Sequence, residues 1–106
     1  MSLMEPTALL DLVQYQQEAI VSSTIIKRKE GSVTLFAFAE GQALSEHTAP
    51  FDALVQILDG QMEITVGDNL HLVFAGQGII LPATIPHALK AIADAKMLLT
   101  MIRSSE

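Results

Sequence analysis

The side chains of this sequence best suited to chemistry are its three histidines, His47, His71 and His87. A neutral imidazole can donate and accept hydrogen bonds, exchange a proton near neutral pH and bind transition metals. The chain contains no cysteine, which excludes a disulfide framework, a thiolate metal site and a cysteine nucleophile. It has no serine nucleophile elbow, no His-Glu-x-x-His motif and no nucleotide loop, since Gly76-Gln77-Gly78 lacks the later glycine. Any ligand contact or reaction is therefore expected to involve imidazoles.

Two of the histidines, His47 and His87, lie next to turn signals at the edges of predicted strands. Side chains alternate between the two faces of a strand, so each histidine shares its face with residues two positions away. If both faces look into one barrel, the two imidazoles converge there. The expected face partners are Ser45 and Ala49 for the first histidine, and Leu89 and Ala91 for the second.

Three other polar residues are interpreted as ordinary surface or turn residues. His71 lies between two leucines in a short strand and is expected to be solvated. Glu46 precedes His47, so alternation turns it away from that imidazole and toward solvent. Asp52 is expected to cap a turn, because a short carboxylate accepts hydrogen bonds from nearby backbone N–H groups.

Length and composition indicate one small globular domain. The chain has 106 residues, of which 50% are hydrophobic, and this excludes a disordered chain. No apolar run reaches the ~18–20 residues of a membrane span. The net charge is −6 and the only basic cluster is residues 27–29, so a nucleic-acid-binding role is set aside. With no signal-peptide pattern at the start, a cytoplasmic location is expected.

Turn-forming residues interrupt the chain at short intervals from Ile20 onward. The apolar runs between them are rich in β-branched residues, which suit a pleated and packed surface. This spacing is typical of an all-β sandwich or barrel. The Asp59-Gly60 dipeptide, between Leu58 and Gln61, predicts a β-hairpin. The predicted strands cover residues 33–38, 53–58, 62–66, 70–74 and 79–81.

The two ends of the chain are less regular. Residues 1–18 are predicted to be a leader with a short amphipathic helix around Leu9 and Val13, and residues 19–106 to be the barrel domain. Residues 87–102 are alanine-rich and compatible with a helix by propensity alone. Residues 96–102 have no helical stripe, so two strands with a turn near Asp94 are favoured.

Two of the predicted strands, within residues 53–58 and 96–102, are apolar at nearly every position. A strand with one solvated face would alternate, so these strands need cover on both faces. A closed barrel covers one face, and a second subunit packed sheet to sheet would cover the other. We therefore expect a homodimer.

Two glycine-led segments resemble the paired motifs of the cupins, which are small double-stranded β-helix barrels of the jelly-roll type. In the first segment Gly41, His47 and Gly60 stand at the motif's spacing, and in the second Gly76, Pro82 and His87 do. The resemblance covers about residues 20–102 and implies a cupin-like, jelly-roll barrel. It also implies a metal that two histidines and a glutamate of the first motif hold together with the histidine of the second.

The departures from that pattern bear on function. Of the four ligands that the resemblance implies, only His47 and His87 are present, and three protein ligands are the usual minimum for a catalytic metal. Water, substrate or a neighbouring Gln42, Met62 or Met101 could complete the set. The positions that differ are Ala49 for the second histidine, Ala53 for the glutamate, Thr84 for a glycine and Ala91 for an asparagine.

Two functions stay open at this point. The first is a small-molecule-binding barrel, with or without a weakly held divalent metal (Zn, Fe, Ni or Mn) at His47 and His87. The second is a metal-dependent enzyme of the dioxygenase or isomerase type that acts on a small metabolite, and a purely structural module is a third, weaker reading. No cation is expected to point into the barrel, neither Lys90 nor Arg103. The expected ligand-binding residues are His47, Ala49, Ala53, Val55, His87, Leu89 and Ala91.

Overall fold

Nine β-strands and one turn of 3-10 helix make up the regular structure of the computed structural model, which describes residues 4–104. The first three residues of the predicted leader and the last two of the predicted barrel domain lie outside the described residues. The elements are the 3-10 turn Leu9–Asp11, then β1 (Ile20–Arg28), β2 (Gly31–Phe38), β3 (Ala43–His47), β4 (Phe51–Asp59), β5 (Gln61–Val66), β6 (Asn69–Phe74), β7 (Gly78–Leu81), β8 (His87–Ala91) and β9 (Ala95–Arg103).

The strands form two antiparallel sheets that pack face to face. The five-stranded sheet has the order β1-β2-β9-β4-β7, and the four-stranded sheet has the order β3-β8-β5-β6. Inward-facing side chains of both sheets, among them Val55, Ile57, Met62, Ile64 and Met97, form one buried core. This is a jelly-roll, or double-stranded β-helix, and the all-β prediction is confirmed. Within residues 4–104, no helix has the length and apolar character needed to span a membrane.

The alanine-rich region after Pro86 is strand, as the sequence context favoured. It forms β8 and β9, with a turn at residues 92–94 between them. β9 lies between β2 and β4 in the middle of the five-stranded sheet. A central strand is paired on both edges and buried on its inner face, and these interactions outweigh the helical propensity of alanine.

The predicted β-hairpin at Asp59-Gly60 is wrong. β4 ends at Asp59 and pairs with β7 and β9, whereas β5 begins at Gln61 and pairs with β6 and β8. The dipeptide instead forms a corner where the chain passes from one sheet to the other. Gly60 has a φ of 73°, and a Cβ atom there would collide with the backbone carbonyl of Asp94. Both a corner and a hairpin use glycine in the left-handed region, so the dipeptide alone does not distinguish them.

The N-terminal segment (residues 4–19) covers part of the outer face of the five-stranded sheet. Val13 is 3% exposed and packs against outward residues of β2. Lys96 donates a hydrogen bond from Nζ to the carbonyl oxygen of Leu10 (2.5 Å), and the Tyr15 hydroxyl donates to the Asp59 carboxylate (2.6 Å). The short helix predicted in this segment is a single 3-10 turn.

The remainder of that outer face is not covered by the described chain. A cross-strand row of side chains runs in register across all five strands of the sheet, one residue from each. The outermost members, Ile26 and Ile80, are 49% and 62% exposed. Isolated exposed apolar residues are common, but a row of neighbours forms a patch. The cross-strand row consists of Ile26, Val33, Thr100, Leu54 and Ile80.

Candidate functional site

Two imidazoles face each other at one end of the barrel. His47 is the last residue of β3 and His87 is the first residue of β8, and the two are direct partners in the strand pair. Their Nε2 atoms lie 3.0 Å apart, and the rings meet edge to face with centroids 4.3 Å apart. His87 is buried, with 8% of its surface exposed, whereas His47 is exposed. The pair therefore joins the interior of the barrel to solvent.

Backbone carbonyls lie beside the Nδ1 atoms of both rings. Nδ1 of His47 lies 2.8 Å from the carbonyl oxygen of Ser45, and Nδ1 of His87 lies 3.3 Å from that of Ile85. A carbonyl oxygen only accepts, so each Nδ1 donates to it where it carries the hydrogen. The 3.0 Å contact between the two Nε2 atoms is also a hydrogen bond, in which one ring donates and the other accepts. The two carbonyls and the two rings therefore form one hydrogen-bonded chain.

A β-bulge in β3 sets the direction of His47. Leu44 pairs with Leu89 and His47 pairs with His87, so three residue steps on β3 match two on β8. Such a bulge re-aims the side chains that follow it. Simple alternation placed Ser45 on the face of His47, and this is incorrect: Leu44 shares the inner face instead. Ser45 contributes its backbone carbonyl rather than its side chain.

The turn before β8 sets the position of His87. Asp52 accepts a hydrogen bond from the backbone N–H of Ala83 (2.8 Å), which is the capping role interpreted from the sequence. The N–H of Thr84 donates to the carbonyl oxygen of Ala49 (2.9 Å). Thr84 has a φ of 67°, a conformation that a β-branched residue rarely adopts. These contacts attach the turn to Ala49, just before β4, and to Asp52, near the start of β4. The attached turn holds His87 against His47.

The histidine pair lies on the wall of a cavity of ≈ 70 Å³ between the two sheets. By this measure one water needs about 10–15 Å³, so the cavity has room for several small heavy atoms. Six of the seven side chains expected from the sequence line it. Ala91 does not line it, but lies in the core, where it pairs with Met62. The six are His47, Ala49, Ala53, Val55, His87 and Leu89.

Half of the cavity wall consists of residues that the sequence analysis did not assign to it, although it considered Met101 as a neighbour of the histidines. Strands β4 and β9 supply most of these residues. The two strands lie side by side, and the side chains of β9 alternate between its faces as those of β4 do. Extending the 53–55 alternation backward identifies Phe51, and the same rule applied to β9 identifies the odd-numbered residues. The additional lining residues are Leu44, Phe51, Leu81, Met97, Leu99 and Met101.

The two imidazoles are the polar side chains of an otherwise apolar cavity wall. No Asp, Glu, Lys or Arg within residues 4–104 lines it. Lys90 and Arg103 are exposed, as expected, and the Arg103 guanidinium lies 5.6 Å from the centre of the Phe51 ring at the edge of the cavity. Burial lowers the pKa of His87 below its ordinary value, the nearby His47 lowers it further, and the Ile85 carbonyl opposes both. His87 is therefore neutral at pH 7.

The donor set matches a metal ion only in part. No group of three or more His, Cys, Asp or Glu side chains that could hold a metal occurs in the described part of the chain. The histidine pair offers two ring nitrogens, one short of the usual three ligands. Of the three neighbours considered from the sequence, Met101 lines the cavity, whereas Gln42 and Met62 do not.

Comparisons with known proteins agree with this architecture. The model of the Cupin_2 family, described as a cupin domain, matches residues 34–103. A conserved protein of unknown function from Streptococcus pyogenes is 34% identical, with 100% of this chain and 93% of that one covered and a TM-score of 0.94. A cupin superfamily protein from Desulfitobacterium hafniense is 25% identical over 98% of this chain and 95% of its own, with a TM-score of 0.92.

A Cupin 2 conserved barrel domain protein from Leptotrichia buccalis is 36% identical over 90% of this chain, with a TM-score of 0.87. This chain spans 46% of that protein's length. No curated protein matches the chain. The family match covers well over half of the residues, and it coincides with the barrel and the histidine pair. The chain is therefore a member of the Cupin_2 family of cupin-domain proteins.

Proposed function

We propose that this protein binds a small, mainly apolar molecule in the barrel cavity and that the histidine pair makes the polar contact. The observation that carries the proposal is the composition of the wall: ten apolar side chains surround two converging imidazole nitrogens. Ligand sites are typically concave and apolar, with a few polar groups that fix the orientation. The enclosed position of His87 and the exposed position of His47 give such a molecule a way in from solvent.

The two imidazoles define the polar chemistry that the ligand meets. Their Nδ1 atoms lie beside backbone carbonyls and their Nε2 atoms beside each other, so a ligand in the cavity reaches the rings at the Nε2 contact. A hydroxyl, which both donates and accepts, can join this contact. A strongly anionic group would not, because no cationic side chain within residues 4–104 lines the cavity. We therefore infer a neutral molecule with one donor group and an apolar body.

Phenol and toluene are matched probes for this proposal, because they are nearly isosteric and differ in the hydroxyl donor. We expect phenol to perturb the imidazole NMR signals of His47 and His87 and to bind more tightly than toluene. Ala49→Leu should weaken both probes by filling the entrance, and Leu70→Ala, on the exposed β6, serves as the surface control. The proposal is overturned if the two probes bind equally, or if Ala49→Leu leaves phenol binding unchanged.

A second candidate is a metal-dependent cupin enzyme, of the dioxygenase or isomerase type, acting on a small metabolite. It is favoured by the two converging Nε2 atoms and by the backbone carbonyls beside the Nδ1 atoms, since such carbonyls orient metal-binding histidines. A bound divalent metal would supply a Lewis acid next to the cavity. Metal analysis of protein purified without chelator tests this candidate: near-stoichiometric metal must be present, and His47→Ala and His87→Ala must each remove it.

We further propose that two copies of this chain associate through the cross-strand row. Strands that are apolar on both faces need cover on both, and the N-terminal segment covers only part of the outer face. With strands about 4.8 Å apart, the row spans roughly 19 Å, and a flat patch of this kind can pair with itself about a two-fold axis.

Sedimentation of two matched variants tests the homodimer. Ile80→Lys places a charge in the cross-strand row, whereas Leu70→Lys places one at a similarly exposed residue of β6, in the other sheet. We expect Ile80→Lys to sediment as a monomer and Leu70→Lys to sediment as the wild type. A monomeric wild type, or equal effects of both variants, contradicts the proposal. A cytoplasmic location also stays a prediction, which fractionation of the native cells would test.

A further inference from the structure

We infer that the molecule bound in the cavity is aromatic, with a flat ring that carries the hydroxyl, rather than an aliphatic molecule of similar size. This inference rests on the proposed function and names the chemical class of its ligand. Its starting point is the composition of the wall, where five of the twelve lining side chains are aromatic rings or thioethers. Both kinds of group attract an aromatic ring beyond what burial alone provides. The five are His47, Phe51, His87, Met97 and Met101.

These side chains lie on both sides of the cavity. His47 and His87 belong to β3 and β8 of the four-stranded sheet, whereas Phe51 and Met101 belong to β4 and β9 of the five-stranded sheet. A molecule between the sheets therefore meets imidazoles on one side, and a phenyl ring and a thioether on the other. The imidazoles already meet edge to face. A third ring can extend this arrangement, because the edge of one aromatic ring is attracted to the face of another.

Ala53 leaves room for a ring beside Phe51 and Met101. It stands two positions from Phe51 on the inner face of β4, and it is the direct cross-strand partner of Met101. Phe51 and Met101 are thus diagonal neighbours, a separation that aromatic and long side chains can bridge. The methyl group of Ala53 does not fill the space between them. Packed sheets are about 10 Å apart, and a flat ring needs less of that space than a puckered saturated ring does.

The Phe51 ring is held in place from outside the cavity. Its direct partner on β9 is Arg103, whose guanidinium lies over the ring, 5.6 Å from its centre. The backbone N–H of Arg103 donates to the carbonyl oxygen of Glu30 (2.7 Å), which fixes this end of β9. A cation over a ring face stabilises that orientation of the ring. Phe51 is therefore a preorganised part of the wall, and a ligand does not have to order it on binding.

NMR titration with two pairs of probes tests the inference. Phenol and cyclohexanol each carry one hydroxyl, and toluene and methylcyclohexane carry none, so the members of each pair differ in aromaticity. We expect the aromatic member of each pair to bind at least roughly fivefold more tightly than the saturated member. Phenol should also shift the methyl signals of Ala53 and Met101 through its ring current, which cyclohexanol does not have.

Two substitutions reduce the aromatic preference while keeping the wall apolar. In Phe51→Leu and in Met101→Leu, the ratio of phenol affinity to cyclohexanol affinity should fall at least about twofold. The matched controls are Phe74→Leu on the exposed β6 and Met62→Leu in the core, and neither residue lines the cavity. Both controls should keep the wild-type ratio. Thermal unfolding shows whether each variant is folded, and Met101→Leu preserves the test if Phe51→Leu does not fold.

The inference is overturned if the aromatic preference is absent from the toluene and methylcyclohexane pair, or if Phe51→Leu and Met101→Leu both keep the wild-type ratio. The first of these results would assign the preference to the acidity of the phenol hydroxyl rather than to the ring. If phenol binds more tightly than toluene but no more tightly than cyclohexanol, the proposed function stands and only the aromatic class is overturned. If none of the four probes binds, the proposed function and the aromatic class both fail.

Discussion

Replacing Ala53 with glutamate puts a carboxylate into the apolar cavity, where its cost can be calculated. Ala53 is 7% exposed and lines the cavity beside Met101. A glutamate at this position can become neutral by taking up a proton, which sets an upper limit on the cost of its charge. With an ordinary pKa of about 4.3, neutralising it at pH 7 costs at most ~3.7 kcal/mol, since one pKa unit corresponds to about 1.36 kcal/mol. The neutral Ala53→Gln variant adds the same number of heavy atoms, so the difference between the two variants isolates the charge.

Urea unfolding of Ala53→Glu and Ala53→Gln, with chelator present, measures this difference in the free energy of unfolding. We expect Ala53→Glu to be less stable than Ala53→Gln by up to ~3.7 kcal/mol at pH 7, and the gap to close as pH falls toward about 4.3. The histidine pair could take up a proton and form an ion pair with the new carboxylate, so the comparison is repeated in a His87→Ala background. Equal stability of the two variants there at pH 7 refutes the description of this wall as apolar.

The same Ala53→Glu variant also tests the metal reasoning. It gives His47 and His87 a third donor that is hard and negatively charged, so the cavity should bind Zn(II) more tightly. Zinc at about one hundred times its dissociation constant should add roughly 2.7 kcal/mol to the free energy of unfolding. Zinc should not stabilise Ala53→Gln to the same extent. If zinc stabilises both variants equally, the added carboxylate does not reach the histidine pair.

Three further predictions concern groups that hold the site in place. Burial lowers the pKa of His87 in the folded protein, so on acidification the imidazole takes up a proton in the unfolded chain before it does so in the folded one. The contribution of the neutral His87 to stability is therefore complete above about pH 6.5 and declines below it. In urea unfolding of chelator-treated protein, His87→Gln should therefore lose less stability than the wild type on acidification, and an equal or larger loss would contradict the assignment. Thr84 has a left-handed φ of 67°, so Thr84→Gly should raise the free energy of unfolding by about 1 kcal/mol; a lower melting temperature would argue against strain there. Tyr15 is the chain's one tyrosine, and burial and the Asp59 hydrogen bond raise its pKa well above its usual value near 10. In an ultraviolet titration of phenolate, Tyr15 should ionise at lower pH in Asp59→Asn than in the wild type. Equal midpoints in the two proteins would contradict this role of Asp59.

The strands and the general place of the site follow from local sequence. Turn residues between β-branched runs determine β2 and β4 to β7, and alternation along β4 correctly puts Ala53 and Val55 on the cavity wall. The alanine content of β8 and β9 favours a helix if propensity alone is considered, whereas the strand pattern of the preceding residues favours strands. These features depend on residues close together in the chain, which is why sequence reasoning reaches them.

What the sequence alone could not give depends on contacts between distant residues. Asp59-Gly60 has the composition of a hairpin, but the strands on either side pair with other partners, and only the sheet topology makes it a corner. The bulge between Leu44 and His47 shifts alternation by one residue without any glycine or proline to mark it. The placement of Met101 opposite Ala53 likewise comes from the β4–β9 register, which neither strand specifies alone.

Because of the bulge in β3, the direction of the His47 side chain depends on the number of residues in that strand. His47 reaches the cavity because β3 has one more residue than β8 between their two matched pairs. Removing one residue from that stretch would restore regular pairing and turn the imidazole to the outside, although every other side chain would be kept. Substitutions at the outward Ser45 and Glu46 leave the count intact. Among divergent copies of this chain, length changes in β3 should therefore be far rarer than exchanges of its outward residues, and a copy with a shortened β3 should have lost whatever the histidine pair binds.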